Sequence, residues 1–219
     1  FVFKPHKTAL ELVESESKRL GYKIFHKVVN AAPTLPTQCV IGLDRDGVIN
    51  RDLGTYVKSA DQFEPIEGSL EAIAKLRRLG HRIVILTNQG GIAKGVLTNE
   101  QVESVHEHML NLFGEAGCSS IEGIYYSESS LKNDMYAKPN AGMFKRCAKE
   151  IKGVKWSRGF YVGDKMSDLK AAMKVGARPV LVRTGYGLET EKQLNKYTYK
   201  EIKKKTYVFD SLADFADQL

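Results

Sequence analysis

Residues 40–50 read Val40-Ile41-Gly42-Leu43-Asp44-Arg45-Asp46-Gly47-Val48-Ile49-Asn50. A short apolar run ends in two carboxylates one residue apart, and a glycine follows. Four apolar residues bounded by turn-forming residues predict a buried strand. In open α/β sheets, ligands bind beyond the carboxyl ends of the strands. Two carboxylates at such an edge can divide a phosphoryl-transfer reaction between them. One attacks phosphorus as a nucleophile, and the other moves the proton of the leaving group. Asp-x-Asp-Gly is also an ordinary acidic turn, because Asp and Gly both favour turns. The stretch acquires chemical meaning only from matching pieces elsewhere in the chain.

Working outward, the pattern after residue 39 alternates. Strands are expected at Val40–Leu43, Arg82–Leu86, Gly123–Tyr126, Gly159–Val162 and Pro179–Val182. Helical periods lie between them. Ser69–Leu79 places Leu70, Ile73, Ala74, Leu76 and Leu79 on one side and stops at Gly80. Thr98-Asn99-Glu100-Gln101 has the spacing of a capping box and opens a helix reaching Leu112. Ala141–Ile151 and Asp168–Val175 are the next two. Strand–helix alternation predicts an α/β fold, a mainly parallel sheet covered by helices on both faces. Residues 39–219 form this domain. Residues 1–38 read as an extension, with a helix over Thr8–Leu20, a strand or helix over Tyr22–Val29 and a Pro-containing linker. The first residue is Phe, so the chain is expected to start inside a longer one.

Composition sets bounds. The 219 residues are 42% hydrophobic and 27% charged, normal for a globular chain. A chain of this length buries roughly 70% of its unfolded surface without needing staples. No apolar run reaches the ~18 residues of a membrane span. Cys39, Cys118 and Cys147 are odd in number and scattered, as expected of reduced thiols in an intracellular, cytoplasmic protein. The net charge of +7 favours anionic partners. Much of it sits in Lys192–Lys205, which reads as a solvated helical face, with a weak RNA or membrane-surface patch as the lesser reading.

Three further pieces fall at strand ends or a helix start. Leu86-Thr87-Asn88-Gln89-Gly90-Gly91 offers a hydroxyl and backbone N–H groups to phosphate oxygens. Lys138-Pro139 offers a positioned ammonium. Gly163-Asp164-Lys165-Met166-Ser167-Asp168 supplies carboxylates for an oxygen-only Mg²⁺ site. Taken with Asp44 and Asp46, these resemble the four motifs of the haloacid dehalogenase (HAD) superfamily. Within it, Asp44–Asn50, Thr87–Gly95, Gly123–Tyr126 and Val180–Gly185 look like the heptose bisphosphate phosphatase and histidinol-phosphate phosphatase group.

The resemblance implies a Rossmann-like α/β/α sandwich without a cap domain, and a Mg²⁺-dependent phosphatase acting on a small phosphorylated metabolite. Asp44 is the implied nucleophile and forms an aspartyl-phosphate, while Asp46 is the acid and then the base. Arg45, Thr87, Asn88 (through its backbone) and Lys138 are the candidates for holding the phosphoryl group. Asp44, the Asp46 carbonyl and Asp164, supported by Asp168, are the implied Mg²⁺ ligands. The group's zinc loop, Cys-x-His then Cys-x-Cys, is replaced here by Tyr126–Ser130 and Asp134–Tyr136, so no zinc is expected. The arginine that precedes the motif lysine and contacts substrate is Ala137 here. The active site is expected to be open, covered only by a flap over Arg51–Pro65 and a loop over Ser127–Tyr136. His106 and His108 are read as having no catalytic role. The competing reading is a non-catalytic subunit on the same fold, within a ribonucleoprotein or other large assembly.

Overall fold

The computed structural model describes residues 38–118 and 120–219. The expectations for Thr8–Leu20 and Tyr22–Val29 lie outside the described residues. Six strands alternate with helices: β1 (Val40–Leu43), α1 (Ser69–Arg78), β2 (Arg82–Asn88), α2 (Asn99–Glu115), β3 (Gly123–Ser127), α3 (Gly142–Glu150), β4 (Phe160–Gly163), α4 (Met166–Lys174), β5 (Arg178–Val182), α5 (Gly187–Leu194), α6 (Lys200–Lys205), β6 (Tyr207–Phe209) and α7 (Leu212–Asp217). All five strand pairings are parallel, in the order β3-β2-β1-β4-β5-β6. Each expected strand is present within two residues, and β6 with the helices after residue 186 is added.

The strands are short apolar runs because both faces of the central sheet are covered. β1 is buried along its whole length between β2 and β4, pairing Ile41 with Ile83 and Leu43 with Val162. Side chains alternate across the pleat. Tyr161 of β4 joins Val40, Leu86, Phe144, Cys147 and Trp156 in one core cluster. Phe160, one residue away, points to the opposite layer and meets Phe215 of α7 edge-on at 5.4 Å. A smaller cluster of Leu169, Leu181 and Leu194 carries α5 and α6, with Ile202 packed against it. Lys203, Lys204 and Lys205 stay exposed, so this basic run is the solvated face of an amphipathic turn of helix.

Helix α2 begins as its sequence dictates. The Thr98 side chain accepts from Gln101 N, and the Gln101 side chain accepts from Thr98 N. The β1–α1 connection folds back on itself as a flap: Arg51 N donates to Glu64 O at 2.8 Å, and Asn50 forms a bridge with Pro65. It carries one 3₁₀ turn, Ala60–Gln62, and no cap domain. No described helix is long and apolar enough to cross a membrane.

Candidate active site

The carboxyl ends of β1, β2 and β4 converge, and each delivers a polar group. Asp44 is set by the strand itself, since its N–H continues the ladder to Val162 O at 2.9 Å. Lys138 reaches the site from the β3–α3 connection. Its backbone N–H donates to Asn88 Oδ1 at 2.9 Å, while Asn88 Nδ2 donates to Lys138 O at 3.0 Å. This reciprocal clamp ties the connection to the end of β2. Asn88 therefore spends its side chain on Lys138, leaving only its backbone N–H for a ligand.

The Lys138 ammonium is 2.8 Å from Asp44 Oδ1 and 2.7 Å from Asp168 Oδ1, and it donates to Tyr161 Oη at 2.8 Å. Tyr161 in turn donates to Leu86 O. Burial disfavours the ammonium, but Asp168 and Asp44 outweigh it and hold the Lys138 pKa above its usual value. Burial likewise raises the pKa of Asp44 despite Lys138. Burial also pushes the Tyr161 phenol far up, helped by Asp44 and Asp168, so it stays a neutral donor.

Among the described residues, one group of carboxylates is close enough to share a metal ion: Asp44, Asp164 and Asp168, whose oxygens lie within 4.8 Å of one another. Asp164 is built into the end of β4 by the β5–α5 loop. Tyr186 N donates to its Oδ2 at 2.8 Å, and Thr190 Oγ1 donates to its carbonyl at 2.7 Å. Gly47 (φ +86°) and Gly185 (φ +56°) pass so close that a Cβ on either would fall within 2.3 Å of Asp164 Oδ2. Only glycine allows both the backbone twist and the approach. Asp164 Oδ1 is buried without a hydrogen-bond partner. Burial, with Asp168 and Asp44 adding repulsion, lifts the Asp164 carboxyl to about 8 against the opposing pull of Lys165. Three carboxylates gathered together, two of them on one buried ammonium, with a buried oxygen of the third lacking a partner, make an anionic pocket that a hard divalent cation fits.

Asp46 has a different setting. Its carboxylate, about a quarter exposed, accepts from Arg45 Nε at 3.1 Å, Arg45 Nη2 at 2.9 Å, Asn50 Nδ2 at 2.9 Å and Gln89 Nε2 at 3.1 Å. Burial raises its pKa, but the charge of Arg45 and these donors outweigh burial and bring it below the usual carboxylate range. The Asp46 carboxylate stands outside the metal-binding trio, so only its carbonyl remains for the implied metal role. Gln89 also donates to Thr87 Oγ1 at 3.0 Å, which fixes that hydroxyl at the end of β2.

The Arg45 side chain is fully buried, and its donors go to Asp46 and Gln89 and face His106, so its side chain is committed within the protein. The residue lies in the bend beyond the end of β1, between two site residues. Two contributors gave no motif signal: Tyr161 and Thr190 are polar residues whose partners lie far along the chain. Asn50 and Gln89 stood inside the motif stretches but were not singled out. Lys165 sits at the mouth, 2.8 Å from Asp52 Oδ2 of the flap and over the Tyr186 ring at 4.7 Å. The Ser127–Tyr136 loop, where zinc ligands were missing, is organised by its own side chains. Ser127 Oγ donates to Ser129 O at 2.9 Å, Asp134 Oδ1 accepts from Tyr136 N at 2.8 Å, and Asn140 Nδ2 donates to Asp134 O at 2.8 Å. Ala137 is fully buried beside it.

Comparison with known proteins agrees with this geometry. The HAD-hydrolase-like family model matches residues 135–215. The chain belongs to the HAD superfamily and is a phosphatase of that superfamily, a phosphoric monoester hydrolase. Within it, the chain is 36% identical over 181 residues to D-glycero-β-D-manno-heptose-1,7-bisphosphate 7-phosphatase of Pseudomonas putida, covering 81% of this chain and 97% of the relative. It is 37% identical over 177 residues to the enzyme of the same name from Pseudomonas aeruginosa, covering 81% and 95%. The crystal structure of D,D-heptose 1,7-bisphosphate phosphatase from B. bronchiseptica, complexed with magnesium and phosphate, superimposes with a TM-score of 0.73 at 32% identity, covering 82% of this chain and 97% of that one. The reading as a non-catalytic subunit is set aside.

Proposed function

We propose that the protein is a Mg²⁺-dependent phosphatase that cleaves a small sugar phosphate or bisphosphate through an aspartyl-phosphate on Asp44. The observation that carries this reading is the placement of Lys138. It holds Asp44 through Oδ1, which also accepts from Arg45 N at 2.8 Å. Among the described residues, Oδ2 has no hydrogen-bond donor and is the atom left to attack. Its lone pair bonds to phosphorus as the ester P–O bond breaks. Asp46 is ionised in the free site, so the proton arrives on the phosphate monoanion of the substrate and passes through Asp46 to the departing alcohol oxygen. A water then attacks phosphorus, its proton passes to Asp46, and the electron pair of the acyl–phosphate bond returns to Asp44. Lys138, the Thr87 hydroxyl and the Asn88 N–H hold the phosphoryl oxygens as charge shifts among them. Asp44, the Asp46 carbonyl and Asp164, with Asp168 behind, would hold Mg²⁺, which would supply the positive charge that this carboxylate cluster lacks.

The similarity to heptose 1,7-bisphosphate phosphatases makes a heptose 1,7-bisphosphate the first substrate to test. The experiment is a screen of phosphorylated sugars and matched monophosphates with Mg²⁺ and with chelator, followed by an acid quench with radiolabelled substrate. Mg²⁺-dependent release and label on Asp44 are expected. Turnover in chelator, or label absent under burst conditions, would overturn the mechanism.

A further inference from the structure

The site leaves one buried group unused. Arg45 is the largest fully buried side chain of the described residues, and it faces away from the phosphoryl pocket. Its guanidinium has three partners: Asp46, Gln89, whose Oε1 accepts from Nη2 at 3.3 Å, and His106. Nε and Nη2 grip both oxygens of Asp46, at 3.1 Å to Oδ1 and 2.9 Å to each oxygen. Nη1 faces His106 Nε2 at 3.3 Å, across 61 positions of sequence.

His106 projects from α2 and is itself buried. Its ring meets Tyr126 edge-on at 5.6 Å, and the Tyr126 hydroxyl is 3.3 Å from Asn99 Oδ1 at the start of the same helix. Burial first, and then the charge of Arg45, push its pKa down to about 3. The imidazole is therefore neutral. For Nε2 to accept from a guanidinium, which only donates, the proton must sit on Nδ1.

We propose that His106 is a positioning residue: it anchors the far end of the Arg45 guanidinium, which in turn aims the Asp46 carboxyl at the leaving-group oxygen. A fork that grips both carboxylate oxygens fixes the carboxyl plane as well as its place. Gln89 Oε1 holds Nη2 on the Asp46 side of the fork, and His106 is the partner of Nη1, the nitrogen that makes no bond to Asp46. The inference rests on the acid–base role of Asp46. A guanidinium buried for stability alone would not need this geometry, because a buried ion pair exchanged for apolar groups of similar volume is often neutral in stability.

The test separates aim from folding. His106→Leu keeps approximate volume without an acceptor, and His106→Gln returns an acceptor oxygen at about the reach of Nε2. Each is assayed for kcat/KM on an alkyl phosphate and on nitrophenyl phosphate, whose leaving group needs little protonation. General acid assistance is worth about 10²–10⁴-fold. Partial misalignment in His106→Leu should therefore cost roughly tenfold or more on the alkyl ester and under about threefold on the aryl ester, with His106→Gln recovering most of the difference. Equal losses on both esters, or no loss, overturn the proposal. If His106→Leu does not fold, His106→Asn, whose acceptor falls short of Arg45, takes its place with the same expectation. A crystal structure of the variant gives a readout without turnover: Arg45 and Asp46 unmoved overturns the relay. If the wild type hydrolyses neither ester, the phosphatase mechanism fails, and that structure alone judges the relay.

Discussion

Gly185→Ala tests whether the β5–α5 loop is shaped around Asp164. The added methyl carbon would lie 2.3 Å from Asp164 Oδ2 and 2.6 Å from Gly47 Cα, on a backbone with φ +56°. Such carbon–oxygen contacts do not fall below 3.0 Å, so the carboxylate or the loop must shift by at least about 0.7 Å. Gly47 blocks one direction of retreat. The left-handed backbone alone costs an L-residue about 1–2 kcal/mol. Breaking the bond from Tyr186 N to the carboxylate adds about 1.5–3 kcal/mol. Unfolding by urea should therefore show a loss of about 2.5–5 kcal/mol. Mg²⁺ tolerates little distortion of its ligands, and disturbing the groups that orient a ligand typically weakens affinity about 10–100-fold. The Mg²⁺ midpoint, by calorimetry and by activity, should rise by that factor. Gly117→Ala is the control. Its φ is +85° with nothing within 4 Å of the added carbon, so it should lose only the backbone term of about 1–2 kcal/mol and leave the Mg²⁺ midpoint alone. Equal losses in the two variants, with equal Mg²⁺ midpoints, would refute the close-packing argument.

Other consequences can be checked alongside. Asp44→Asn should fold normally yet lose turnover by at least about 10³-fold, since an amide is a poor nucleophile; near-wild-type kcat in the purified variant removes Asp44 from that role. Lys138→Met leaves Asp44 and Asp168 without their buried cation, a loss of about 3–5 kcal/mol without metal, and added Mg²⁺ should raise its melting temperature more than that of the wild type. The Asp164 carboxyl, lifted to about 8 from an ordinary 3.8, binds its proton more tightly folded than unfolded, so without metal its contribution to stability declines as pH rises from about 4 to 8. Asp164→Asn should consequently gain on the wild type across that window in chelator, and a pH-independent difference contradicts the assignment. Tyr161→Phe removes one of three partners of the Lys138 ammonium and should lower kcat/KM about tenfold while denaturation shows a loss of about 1.5–3 kcal/mol; unchanged values of both mean the phenol holds nothing in place.

The alternation of strands and helices was legible because parallel strands buried on both faces must be short apolar runs, and helices between them must carry a stripe. The capping box at Thr98, the stop near Gly80 and the strand end at Asp44 are local events within a few residues. The positions of Asp44, Thr87, Asp164 and Asp168 were also legible, because each stands at or beside the end of a strand or in the first turn of a helix, and the fold gathers those ends; Lys138 joins them from the β3–α3 connection. What each side chain touches was decided only by the tertiary structure. Arg45 reads as a site residue by position, and in the bend after β1 its side chain is buried and meets Asp46 and His106, the latter 61 positions away. Asn88 reads as a phosphate donor through its backbone, and the sequence did not show that its side chain is committed to Lys138. Tyr161 lies inside an apolar strand with nothing to mark it as the third partner of the lysine. Gly185 becomes obligatory only when the loops after β1 and β5 close on Asp164. Periodicity and capping are carried by neighbours along the chain, so sequence determines them. Polar pairing across the sheet depends on register and on which face each residue presents, and only the assembled strands decide that.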